Sequence, residues 1–145
     1  MQTLAQLQAR MTGPDQADAL AAATELTNYL LIYNDEYNTL IMKRQDARAA
    51  ERAVSMNPAG VDHAEVLRLQ SLILGIESRM AVQDARLIAF QASALVINPP
   101  NANQVSMVRS LTTQVAAMIA RDQGIENIMV ALGQIAGVVN QIQGG

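Results

Sequence analysis

Residues 62–97, DHAEVLRLQSLILGIESRMAVQDARLIAFQASALVI, decide the fold. Alternating steps of three and four pass through Val66, Leu69, Ile73, Ile76, Met80, Gln83, Leu87, Phe90, Ala94 and Ile97, with Gln83 the single polar interruption. Such spacing draws one apolar line along a helix, whereas a strand would alternate every second residue. It predicts a helix over 62–97. Asp62 stands at its start with Glu65 three residues on, the spacing of a capping box.

The flanking segments read the same way. Residues 15–55 carry the line Ala19, Ala23, Leu26, Leu30, Tyr33, Tyr37, Leu40, Arg44, Ala47, Glu51 and Val54. Residues 103–142 carry Val108, Leu111, Val115, Met118, Asp122, Ile125, Met129, Leu132, Ala136 and Val139. The four prolines mark the boundaries, at Gly13-Pro14, Asn57-Pro58 and Asn98-Pro99-Pro100. Pro14 suits the first turn of a helix, with Asp15 and Asp18 at the positive end of its dipole. Connections this short make neighbouring helices antiparallel. The expectation is one all-α domain over 1–145: an elongated antiparallel three-helix bundle with coiled-coil-like heptad seams. A short N-terminal helix over 1–11 would add Leu4, Leu7 and Met11 on one face. Each long helix would measure up to about 60 Å, and Gly75 and Gly124 are where one would kink.

Composition narrows the chemistry. Half of the 145 residues are apolar, enough for a core without staples, and the absence of cysteine removes disulfides, thiolate metal sites and thiol nucleophiles. A net charge of −3 has the wrong sign for a general nucleic-acid binder. Met1 to Gln6 lack the basic start and apolar run of a secretory leader, so the chain as numbered is expected in the cytoplasm, or exported if a leader has been removed. His63 is the only histidine, and no Glu-x-x-His pair of the kind that builds metal centres in helix bundles occurs. No enzyme, cofactor or metal is expected.

Interaction surfaces are the remaining candidates. Tyr29, Tyr33 and Tyr37, four residues apart, lie on one helical stripe that serves either recognition or the core. Lys43, Arg44, Arg48 and Arg52 form a basic stripe near the end of the first long helix, where they also complement its dipole. No charge occurs between Arg86 and Arg109 or after Glu126, so Leu95, Val96, Ile128 and Val138 are expected on uncharged outer faces that meet another surface. Gly133 and Gly137 have the small-xxx-small spacing that lets helices approach closely. The C-terminal apolar run, interrupted by Gln134, Asn140 and Gln141, does not read as a membrane span.

Residues 17–53, ADALAAATELTNYLLIYNDEYNTLIMKRQDARAAERA, resemble the Ala/Gln/Leu-rich helical region of minor pilus and conjugal-transfer subunits of bacterial type IV secretion systems. The likeness centres on Tyr33-Asn34-Asp35-Glu36-Tyr37-Asn38-Thr39-Leu40-Ile41-Met42 and covers about a quarter of the chain. It implies an exported helical protein with an adhesive or assembly role, without catalysis, and it transfers no functional residue. The expected function is therefore a structural or assembly protein that packs with copies of itself or with another helical protein. The alternatives are a monomeric adaptor using the tyrosines or arginines, and a membrane-contacting hairpin whose Pro-Pro turn forms the tip.

Overall fold

A computed structural model describes residues 1–121 and 125–143, and the described residues form five helices with no strand beyond a single bridge between Gln2 and Ile97. Its helices are α1 (Leu4–Met11), α2 (Gln16–Ser55), α3 (His63–Gln91), α4 (Ala102–Ala120) and α5 (Ile125–Ile142). Their starts are set by side-chain caps that satisfy orphan N–H groups. Thr3 and Gln6 form a reciprocal capping box on α1, and Asn101 and Gln104 form another on α4. Asp15 caps α2 by accepting from the Ala17 and Asp18 amides, which leaves Pro14 just outside the helix rather than in its first turn. Asp62 caps α3 by accepting from the Glu65 amide, while the Glu65 carboxylate turns to Arg68 instead of closing the box.

The expected three-helix bundle is corrected in two places. The third segment is two helices, α4 and α5, packed on each other, so the chain is two hairpins that share α2 as their axis. Asp122 and Gly124, expected on or near a continuous seam, lie outside the described residues. Within α5 the predicted seam holds at Leu132 and Val139 but not at Met129. In α5 the buried positions are Ile128, Ala131, Leu132, Ile135, Val138, Val139 and Ile142, and Met129 turns outward. The second correction is that α3 runs through Gly75 but stops at Gln91 instead of reaching 97. Ser93 adopts the left-handed conformation (φ 56°), and the amides of Ser93 and Ala94 close back on the carbonyls of Phe90 and Ala89. This is the glycine-favouring helix stop with serine in the glycine's place, which is why the sequence does not announce it.

Beyond that stop the chain runs as a strap across the end of the molecule. Gln2 and Ile97 exchange two backbone hydrogen bonds of 2.8 Å. The Ser93 hydroxyl accepts from the Ala5 amide. Asn98 gives its backbone N–H to the Ile142 carbonyl and its side-chain amide to the Gln141 carbonyl, satisfying groups that the last turn of α5 leaves open. Ile97 and Pro100 are buried and Leu95 half-buried. Within the charge-free run over 87–108 the chain itself covers Phe90, Ile97, Pro100 and Val108, while Ile88, Val96 and Met107 stay exposed. The Pro-Pro turn is not a free tip, because the Pro100 carbonyl accepts from the Asn28 side chain on α2.

The core forms around α2. α3 runs antiparallel to it, as Arg48 with Glu77, Tyr37 with Asp84 and Tyr29 with Phe90 show. α4 runs parallel to α2, from Asn28 beside Pro100 to Asp35 beside Arg109. α5 returns antiparallel over the face between them, bringing Gln143 back to Tyr29. With neighbours on several sides, α2 buries Glu36, Thr39 and Lys43 as well as its apolar residues. Arg10 fixes α1 to the start of α2 by bridging Asp18 (2.9 Å) and Glu25 (2.7 Å).

Candidate functional site

The tyrosine stripe is part of the α2–α3 interface. Tyr29 is buried with its ring 4.6 Å from that of Phe90, and its hydroxyl accepts from the Gln143 amide at 3.4 Å. Tyr33 is also buried, stacked on half-buried Tyr37 at 5.8 Å, and Tyr37 donates to Asp84 at 3.2 Å. Burial and then the nearby Asp84 charge push the Tyr33 hydroxyl up to about 12. These rings hold two helices together rather than forming an exposed recognition face.

The basic stripe is divided by the fold. Lys43 is fully buried and paired with Asp46 at 2.7 Å, Arg44 is half-buried, and Arg48 spans to Glu77 on α3 at 2.9 Å. Arg52 is exposed beyond them, on the arm formed by the end of α2 and the start of α3.

Of the residues expected on uncharged outer faces, Ile128 and Val138 belong to the core, and Leu95 packs against it. Val96, Gly133 and Gly137 are exposed. A β-carbon at Gly75, Gly133 or Gly137 would meet nothing within 4 Å. All three are in helix interiors, so replacing them together by alanine should raise stability by about 2 kcal/mol through a less flexible unfolded chain. A lower melting temperature for the triple variant would contradict that placement.

The structure reveals a polar cluster that sequence reasoning did not identify. The Arg79 guanidinium makes two bonds to the Glu36 carboxylate, 3.2 and 3.1 Å, and a third to Asn140 at 3.0 Å. Arg86 reaches Asn140 at 3.1 Å and Gln143 at 2.6 Å. Gln143 donates in turn to the Gln83 carbonyl oxygen at 2.9 Å, closing a chain of polar groups from α3 through the end of α5 to Tyr29. Burial pushes the Glu36 carboxyl above its ordinary range, and the Arg79 hydrogen bonds pull it back. Gln83, the interruption in the α3 seam, is the one sequence signal for this cluster. Its partners come from 43 to 114 residues apart in sequence, so spacing along one helix could not assemble them.

Chemically the cluster is a clamp. Both Glu36 oxygens face one guanidinium, and no group of three His, Asp or Glu able to hold a metal occurs among the described residues. Beside the clamp an apolar groove is lined by Leu40 of α2, Ile76 of α3, and Leu132 and Ala136 of α5.

A second feature lies on the far side of α3. Its inner residues, from Leu69 to Phe90, pack on α2. Turned away from them, Leu67, Ser71, Leu74, Ser78, Ala81, Ala85, Ile88 and Ala92 are all exposed, and their steps again alternate four and three. Leu67, Leu74 and Ile88 expose 65%, 68% and 66% of their surface, and what separates them from Leu20 and Val130, exposed to 70% and 61% on other helices, is that they line up on one face. The charged side chains of α3 leave this band free: Glu77 turns to Arg48, Arg79 and Arg86 to the clamp, and Arg68 to Glu65. The band was legible as a second heptad line two residues out of phase with the first. Among family models, curated proteins and solved structures, the chain finds no match.

Proposed function

We propose that this chain is a non-catalytic assembly protein that associates with copies of itself through the uncovered face of α3. The observation that carries the reading is the band from Leu67 to Ala92, apolar or small at every position and uncharged, on a helix already packed on its opposite side. Single exposed aliphatic residues are ordinary, but three at seven- and fourteen-residue intervals with small residues between them form a surface shaped for another helix. The likeness of residues 17–53 to pilus and conjugal-transfer subunits suggests the same kind of role.

The test places charge in the band. Leu74→Glu combined with Ile88→Glu should leave folding stability within about 0.5 kcal/mol of wild type, because both side chains are exposed. It should also shift self-association to at least tenfold higher concentration. An unchanged solution mass in the folded double variant would contradict the proposal.

A further inference from the structure

Resting on that reading, we infer that the α3 faces of two copies pair antiparallel, about a two-fold axis passing between Ser78 and Ala81. The argument is the order of large and small side chains along the band. In this register Leu67 meets Ala92 of the second copy, Ser71 meets Ile88, Leu74 meets Ala85, and Ser78 meets Ala81. Every bulky residue therefore faces a small one, and two small residues meet at the centre, where the backbones come closest. Alternating sizes in this way fills the space between two helices. A parallel pair would instead set Leu67 on Leu67, Leu74 on Leu74 and Ile88 on Ile88, with Ser71 and Ser78 facing their own copies across thin layers. Ser71 under Ile88 needs no partner across the interface, since a helical serine can bond back to its own preceding turn.

Charge permits the pairing. Nothing in the band itself is charged, so two copies bring no like charges together along the contact line. On the acidic edge Glu77 is paired with Arg48 at 2.9 Å, whereas Asp84, whose partner is the neutral Tyr37 hydroxyl, keeps its charge and sets a small cost on the pairing that salt screens. The size of the contact sets its strength. From Leu67 to Ala92 the helix runs about 38 Å, which at a helix width of about 10–12 Å gives a footprint of about 400 Å² per copy. That is about half of the roughly 800 Å² per partner of a standard stable interface. A contact of that size makes a weak, reversible pair rather than a permanent one.

Cysteine cross-linking reads the register directly, because the chain has no cysteine of its own. One preparation carries Leu74→Cys and another Ala85→Cys, and both substitutions are on exposed positions. Under mild oxidation, the mixture should yield a covalent dimer on a non-reducing gel while neither variant alone does so, since a disulfide requires Cα atoms within about 7 Å. Cross-linking of each variant with itself would show a parallel pair and overturn the inference. Dimers by light scattering with no cross-link in any of the three samples would place the interface elsewhere, overturning this pairing while leaving self-association standing. A monomer at every concentration would overturn both.

Discussion

Arg79→Ala is expected to remove about 3 kcal/mol of stability at neutral pH and to lose less in acid, because the substitution leaves the Glu36 carboxylate buried without its counter-charge. Glu36 is 2% exposed, and both of its oxygens are bonded to Arg79 in the intact protein. Its folded-state carboxyl is already raised above the ordinary value by burial, and loss of the guanidinium raises it further. A group raised on folding favours the folded state most strongly below its unfolded value, and that contribution is lost as pH rises through the folded value. The deficit of the variant should therefore shrink as pH falls from 7 toward the ordinary carboxyl value of 4.5. Urea midpoints at pH 5 and pH 7 measure it, and a deficit equal at both would contradict the account. The double variant Glu36→Met with Arg79→Met should recover much of the loss, since replacing both partners leaves no buried charge.

Phe90→Ala is expected to cost about 3–5 kcal/mol, the range for truncating a large buried aromatic side chain. Phe90 is 2% exposed, and its tilted contact with Tyr29 at 4.6 Å joins the end of α3 to the middle of α2. It also immediately precedes the turn at Ser93, whose amide bonds back to the Phe90 carbonyl and whose hydroxyl receives the Ala5 amide. The cavity should therefore loosen the strap and α1 together. Denaturant unfolding gives the magnitude, and faster amide exchange at Ala5 and Ala94 gives the location. A loss below about 1 kcal/mol would contradict this placement of the ring.

What the sequence made legible is what a single helix can encode. The line from Val66 to Phe90 corresponds to the packed side of α3, and the caps at Asp15 and Asp62 could be read from residue type and position. Features that depend on three-dimensional neighbours could not. α2 looks weak as a seam because it has several partners, so its buried face is broad and includes Glu36, Thr39 and Lys43. The charge-free run over 87–108 invited an external partner, whereas Ile97 and Pro100 are covered by the chain itself. Val138, expected on an outer face, is buried because the inward face of α5 is wider than a single seam and takes in Val138 beside Val139. The outer band of α3 was within reach of periodicity alone. It was masked by the stronger inner line, whose larger residues dominate any reading that assigns one apolar face to each helix.

On the proposed reading the clamp serves folding and the band serves association. Glu36, Arg79, Arg86 and Gln143 join the two hairpins from within, while Leu67, Leu74 and Ile88 leave a coherent surface outside. The most direct test of the central claim is the solution mass of the unmodified protein, measured by light scattering from low micromolar to near millimolar concentration. The account predicts a rise from the 15.6 kDa of one chain toward twice that value, preserved in high salt because the contact is apolar. A mass that stays at one chain throughout would contradict it.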